Sequence, residues 1–190
     1  NENKSHKKNK TGPCRRWGHS SDIIDSKLFI YGGTGHTTNP RHWESVYKLE
    51  LENWDWTKLE AVNKSPGARD SHSCIIHQNK LYIFGGSNGN DSKNDMYEYD
   101  LNTNSWKKID CKGVLPSPRE GHSACLFEDK YMVIYGGWNG EETFDDCYLF
   151  DIPQKTWIKV DKKTGPEPTP RESQSCCMLR GYMYLLDRKS

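Results

Sequence analysis

The chain of 190 residues can bury a sizeable core as one domain or two small ones, and its 27 basic residues nearly balance 26 acidic ones, which leaves no general field for nucleic acid or acidic membranes. Apolar residues make up only 33%, but seven Trp and ten Tyr favour strands over a polar coil. No apolar run approaches the ~20 residues of a membrane helix, no signal-peptide h-region opens the sequence, and seven cysteines without a CxxC pair suggest neither a disulfide framework nor a zinc knuckle.

In chain order, residues 1–15 come first, a basic segment expected to be flexible. Residues 1–16 carry a balance of +5 and the remainder about −4, since the total is +1. A solvated terminus explains this; a localisation or anion-binding role for Lys7, Lys8 and Lys10 is the alternative. Residues 16–68 then form a first unit: Arg16 and His19, the apolar run KLFIYGG, a long loop with His36, Pro40, His42 and Trp43, then Tyr47 and Trp56. Residues 69–118 repeat it with Arg69 and His72, KLYIFGG, the loop SNGN, Tyr97 and Trp106. Residues 119–170 repeat it again with Arg119 and His122, YMVIYGG, the loop WNGEETFDD, Tyr148 and Trp157. The Gly doublets fall 53 and 51 residues apart, and Arg leads the first Gly by 16, 16 and 17 residues, a coincidence of marks that chance does not supply. Residues 171–190 begin a fourth unit with Arg171, but Gln174 stands at the His position and Leu186-Asp187-Arg188 where Gly-Gly is due.

Within a unit the pattern predicts four short strands, A to D, separated by polar turns, with no stretch of helical periodicity. Four strands per ~50 residues is the blade of a β-propeller. Strand A, with small residues such as Ser73, Cys74, Ser123 and Ala124, is expected nearest the axis, where blades crowd. The Gly doublet ends strand B and allows a sharp bend with close backbone packing. Tyr on C and Trp on D are expected to fill the wider gap between blades.

Arg-x-x-His-Ser, Gly-Gly, Tyr and Trp in this order resemble the Kelch repeat, over roughly residues 16–186. The resemblance implies an all-β, Kelch-type β-propeller: an open arc of four-stranded antiparallel blades, expected to be a fragment of a six- or seven-bladed ring. The missing blades would come from further chain or from another chain. It also implies a non-enzymatic adaptor or scaffold in the cytoplasm, where the cysteines stay reduced and Cys74, Cys125, Cys176 and Cys177 serve as small buried hydrophobes. No disulfide, bound metal or cofactor is expected, and nothing points to nucleic acid or membrane as a partner.

In such propellers the D–A and B–C loops meet at one mouth of the channel, and the resemblance implies that this face takes partner peptides, often acidic ones. Arg16, Arg69, Arg119 and Arg171 open each strand A. They either present guanidiniums to partner carboxylates or tie down their own loops through backbone carbonyls. Variable loops on a rigid scaffold carry recognition, which makes His42, Trp43, Asn88 and Trp138 candidates. Trp43 and Trp138 can instead fold back over their own blades, and Asn88 can shape its turn. A His in every blade reads as a repeated structural hydrogen bond.

Catalysis has thinner support. Glu141-Glu142 and Asp145-Asp146 are adjacent in extended chain, point to opposite faces, and read as solvated loop charge. Cys14, His36 and His42 do not have a recognised metal-ligand spacing. A metal-dependent Kelch-fold enzyme acting on a small sugar-like substrate is the alternative; the ligand sets that such enzymes use are not found in these loops.

Overall fold

The computed structural model describes residues 12–35, 41–161, 165 and 168–187, and every regular element among them is a strand. The basic tail with Lys7, Lys8 and Lys10, and also His36, Pro40 and Arg188, lie outside the described residues.

The first sheet contains β1 (Ser20–Ile24) and β2 (Lys27–Tyr31). A two-residue pair follows, β3 (Thr34–Gly35) with β4 (Arg41–His42), and then β5 (Val46–Glu50) and β6 (Asp55–Leu59) complete the sheet in the order β1-β2-β5-β6. The second sheet runs β7 (Ser73–His77), β8 (Lys80–Phe84), β9 (Met96–Asp100) and β10 (Ser105–Lys108). A short β11 (Lys112–Gly113) leads to the third: β12 (Ser123–Phe127), β13 (Tyr131–Tyr135), β14 (Cys147–Asp151) and β15 (Thr156–Lys159). The fourth unit is the hairpin β16 (Ser175–Leu179) and β17 (Tyr182–Leu186). Each full unit is therefore an antiparallel meander of four strands, the predicted blade.

The A–B turns explain the spacing. Asp25-Ser26, Gln78-Asn79 and Arg180-Gly181 are two-residue connections with every φ positive, the geometry whose twist matches that of the flanking strands. The third blade holds one residue more, Glu128-Asp129-Lys130, which lengthens its Arg-to-Gly interval from 16 to 17.

The innermost strands β1, β7, β12 and β16 lie side by side in succession, so the sheets stand around one axis. The core is found between blades. Phe29, Tyr31 and Val46 of the first meet Ile76, Leu81, Ile83, Tyr99 and Trp106 of the second. Tyr82, Phe84 and Met96 of the second meet Met132, Ile134, Tyr148, Phe150 and Trp157 of the third. Alternation along β8 thus sends Leu81 and Ile83 one way and Tyr82 and Phe84 the other, which buries the whole strand. The strand-D Trp of the second and third blades fills the gap as expected: Trp106 packs on Tyr31 with ring centroids 4.9 Å apart, and Trp157 on Phe84 at 4.8 Å, while Trp56 of the first blade is half-buried.

One departure concerns the outer edges. The link leaving one blade covers strand D of the next. Asn63 offers its carboxamide to the backbone of Trp106, giving 2.7 Å from Nδ2 to the carbonyl and 2.8 Å from the Trp106 N–H to Oδ1. On the third blade the link itself becomes β11 and pairs in parallel with β15, making a fifth strand. Both devices satisfy an edge that would otherwise be open to another chain.

A candidate partner-binding face at the channel mouth

The recurring frame of the repeat is built from backbone and polar latches. At the end of strand B, Gly85 has φ of 65°, and a Cβ there would meet the Arg119 carbonyl of the next blade at 2.7 Å. The next N–H, from Gly86, donates to that same carbonyl at 2.9 Å. Equivalent bonds run from Gly33 to Arg69 and from Gly137 to Arg171, both at 2.8 Å, so the doublet is where successive blades touch backbone to backbone.

A second latch uses the histidines. His72 Nε2 lies 2.7 Å from Ser20 Oγ and His122 Nε2 2.7 Å from Ser73 Oγ, each bridging two blades. Burial, with the charges of Arg69, His122 and His19 adding to it, holds His72 well below the ordinary imidazole value. His122 is pushed down to about 3 by burial and by Arg119. Both rings are neutral structural groups at neutral pH. Gln174, the apparent departure, makes the same contact: its Nε2 donates to Ser123 Oγ at 3.2 Å and to the Tyr135 carbonyl at 2.9 Å.

All four arginines bond carbonyls of their own loops, and three of them also bond a carboxylate. Arg69 and Arg119 are 3% and 0% exposed. Arg69 Nη1 donates to the Gly85 carbonyl at 3.0 Å and to Asp95 at 2.7 Å, and Nη2 to the Pro66 carbonyl at 2.8 Å. Arg119 repeats this on the Gly136 carbonyl at 3.0 Å, on Asp146 at 2.6 Å, and through Nε on the Ser117 carbonyl at 3.1 Å. Arg171 pairs with Asp187, the residue standing near the absent Gly-Gly, and donates to the Thr169 carbonyl. Arg16 donates to the carbonyls of Gly32 and Cys14 and lies over the rings of Trp43 and Tyr47. Asp146 is corrected by this geometry: it is the bidentate partner of a buried guanidinium, not solvated loop charge.

Two residues after each arginine the backbone links successive blades. A chain of backbone bonds crosses the blades here: Ser71 N–H to the Gly18 carbonyl at 2.7 Å, Gly121 N–H to Ser71 at 2.8 Å, and Ser173 N–H to Gly121 at 2.7 Å. All four residues have positive φ. This arc frames the mouth of the channel, and Trp17, Asp70, Glu120 and Glu172 precede its members. Glu120 is held above the ordinary carboxylate value by burial and by the carboxylates of Asp70 and Glu172, with His42 opposing. His42 reaches from the first blade to Asp70 of the second, 2.7 Å from Nε2 to Oδ2, and lies against Gly89.

Trp138 pairs its backbone with Glu120, as Ser87 does with Asp70 and Thr34 with Trp17. Half-buried, it borders an open groove of about 190 Å³ with Ser71, Glu120, Gly121, Glu172 and Ser173. Trp43 is folded over its own blade, against Arg16 and Gly35. Asn88 is exposed, and its Oδ1 accepts the N–H groups of Asn90 and Asp91, both at 3.0 Å; Asn139 does the same for Glu141 and Glu142. Among the described residues no group of three or more His, Cys, Asp or Glu side chains could hold a metal ion.

The sequence model of the KLHDC2/KLHL20/DRC7 Kelch-repeats domain matches residues 1–186. The chain belongs to the Kelch-repeat family. It is 30% identical over 179 residues to Kelch domain-containing protein 3 of Mus musculus, covering 89% of this chain and 46% of that protein. It is 34% identical over 177 residues to Acyl-CoA-binding domain-containing protein 4 of Arabidopsis thaliana, covering 87% of this chain and 26% of that protein. Similarity to Host cell factor of Drosophila melanogaster is 26% over 184 residues, covering 91% and 9%. The chain spans less than half the length of these relatives.

In the second and third blades the repeat signature is engaged by structure: Arg by loop ties, Gly-Gly by blade contacts, His by latches, Trp by the core. The groups left bordering the groove at the mouth are those that the repeat does not fix, Glu120, Glu172 and Trp138, whereas Asp70 is buried and held by His42 and Ser71. Sequence reasoning named Trp138 and missed the two carboxylates, Glu120 and Glu172. Their one signal is that each directly follows a repeat arginine.

Proposed function

We propose that this Kelch propeller segment is a non-enzymatic interaction module, an adaptor or scaffold whose loop face at the channel mouth receives a partner protein. The observation that carries the reading is the convergence of Glu120 and Glu172 beside the half-buried Trp138, with the buried Asp70 already held by His42 and the frame's arginines already occupied. This arrangement revises the expected partner chemistry. An acidic peptide would meet carboxylates here, whereas a Lys- or Arg-bearing segment gains ion pairing and a cation–π face on Trp138.

The test is a binding titration with matched Lys/Arg-rich and Asp/Glu-rich peptide pools, read by Trp fluorescence and repeated at rising salt. Basic peptides bind, weaken with salt, and lose affinity about tenfold with Trp138→Ala or with Glu120→Gln plus Glu172→Gln. Preference for the acidic pool, or affinity that only Arg69→Ala and Arg119→Ala reduce, overturns the assignment. Those two substitutions are expected to lower thermal stability instead.

A further inference from the structure

Inner strands β12 and β16 are neighbours across the junction of the third blade and the hairpin. Gln174 on one side bonds Ser123 on the other. Two residues further along both strands, at the next position on the same face, stand Cys125 and Cys176. The two thiols lie on facing strands at this junction, near enough for each to shift the ionisation of the other. At the equivalent places the other two junctions carry Asp22 with Cys74 and Ile75 with Ala124, so the thiol pair is peculiar to this one. Cys125 is buried, whereas Cys176 is half-buried and borders an open groove of about 490 Å³ with Cys177, Leu179, Tyr184 and Leu186.

We propose that Cys125 and Cys176 form a peroxide-oxidisable dithiol whose disulfide staples the third blade to the fourth unit. Cys176 is the attacking sulfur. It is the half-buried member of the pair and borders the open groove, whereas Cys125 is buried; the nearby Cys125 and Ser123 side chains also lower its pKa against the effect of burial, while that of Cys125 is raised. Its thiolate attacks one oxygen of hydrogen peroxide, the O–O bond breaks, and hydroxide leaves to become water, giving a sulfenic acid on Cys176. The Cys125 sulfur then attacks the Cys176 sulfur. The S–S bond forms, the S–O bond breaks, and the departing hydroxide takes the Cys125 proton as a second water. Two thiols are oxidised by two electrons in all and one peroxide is reduced. Cys177, the exposed neighbour, points to the other face of the strand and does not join the pair.

The inference reaches beyond partner binding and does not depend on it. The expectation of cysteines as buried, inert hydrophobes gives way at this junction and also at Cys177, which is exposed. The experiment treats the whole chain with a small excess of hydrogen peroxide, blocks free thiols, and maps the unreduced protein by peptide mass spectrometry. A Cys125–Cys176 cross-link, two hydrogens lighter and reversed by dithiothreitol, is expected, and with it a rise in Tm of about 5 °C or more. Cys177→Ser and Cys14→Ser retain it. Cys125→Ser, checked for folding by circular dichroism, halts the reaction at a dimedone-reactive sulfenic acid on Cys176. Cross-links between Cys176 and Cys177 or between chains, or peroxide reactivity no greater at Cys176 than at the exposed Cys14, overturn the proposal; the mapping on the unaltered chain needs no variant to fold.

Discussion

Strands β8 and β17 occupy the same place in their repeats, yet Phe84 is 0% exposed and its counterpart Leu186 73%. Both strands alternate in the same way, and both turn one face to the preceding blade. The difference is the following blade: β8 has Trp157 and His122 against Phe84, with ring centroids 4.8 and 5.3 Å away, while Tyr182, Tyr184 and Leu186 are exposed. A blade does not own a core. It owns two half-cores, and the stabilising contacts exist only where two blades meet, which makes stability a sum over junctions.

The largest test of that comparison is to truncate one residue on each side of it. Trp157, 1% exposed, touches Phe84 and Phe150, and Trp157→Ala should cost about 3–5 kcal/mol in urea or guanidinium unfolding. Leu186→Ala removes a side chain that is exposed, and should change stability by less than about 0.5 kcal/mol. Similar losses at both positions would mean that the hairpin's outer face is covered by something else, and an ultracentrifuge run would then show association.

A middle-sized effect comes from pH, because the junctions differ in their latch. His72 and His122 are buried and neutral, and their folded pKa values lie below the model-peptide value of 6.5. The unfolded chain therefore binds more protons than the folded one as pH falls below about 6.5. Stability is full above that value and declines towards the folded pKa, about 3 for His122, by up to ~1.4 kcal/mol per pH unit for each ring. The third junction uses Gln174, which carries no such penalty. His122→Gln should therefore copy that junction and flatten the decline between pH 6 and 4, with unfolding midpoints measured at each pH. An unchanged slope would mean that other groups set the acid sensitivity.

The comparison also shows what the sequence could tell. Blades, strand order and the Trp filling were legible because each mark recurs at a fixed interval, and the hydrophobic pattern changes sense at every turn. Gln174 looked like a loss of pattern because a carboxamide and an imidazole share no name, although they share a donor geometry. Asp95 and Asp146 were opaque because the arginines they serve lie 26 and 27 residues away, across a strand and a loop. The strand β11 was hidden in a polar link with no alternation, since its pairing is set by the next blade's edge. Glu120 and Glu172 were opaque because their acidic positions do not recur in the first unit, where Trp17 follows the arginine.

The smallest effect separates two reasons for glycine, using one position at a blade contact and one at the mouth. Gly85 and Gly121 both have φ of 65°, so a side chain meets the same left-handed backbone penalty at either, about 1 kcal/mol. Their surroundings differ. A Cβ on Gly85 would press on the Arg119 carbonyl at 2.7 Å, whereas on Gly121 the nearest atom is 3.4 Å away. The mouth already tolerates side chains in this conformation, since Ser71 and Ser173 hold the corresponding places with φ of 54° and 58°. Gly121→Ala should therefore lose only about 1 kcal/mol, the backbone term alone. Gly85→Ala adds the displacement of a backbone that also accepts the Gly86 N–H, and should lose at least about 1 kcal/mol more. The quantity to compare is the difference between the two unfolding free energies, in which the shared φ term cancels. A difference near zero would assign the doublet to backbone conformation alone and remove close blade approach as the reason for its recurrence.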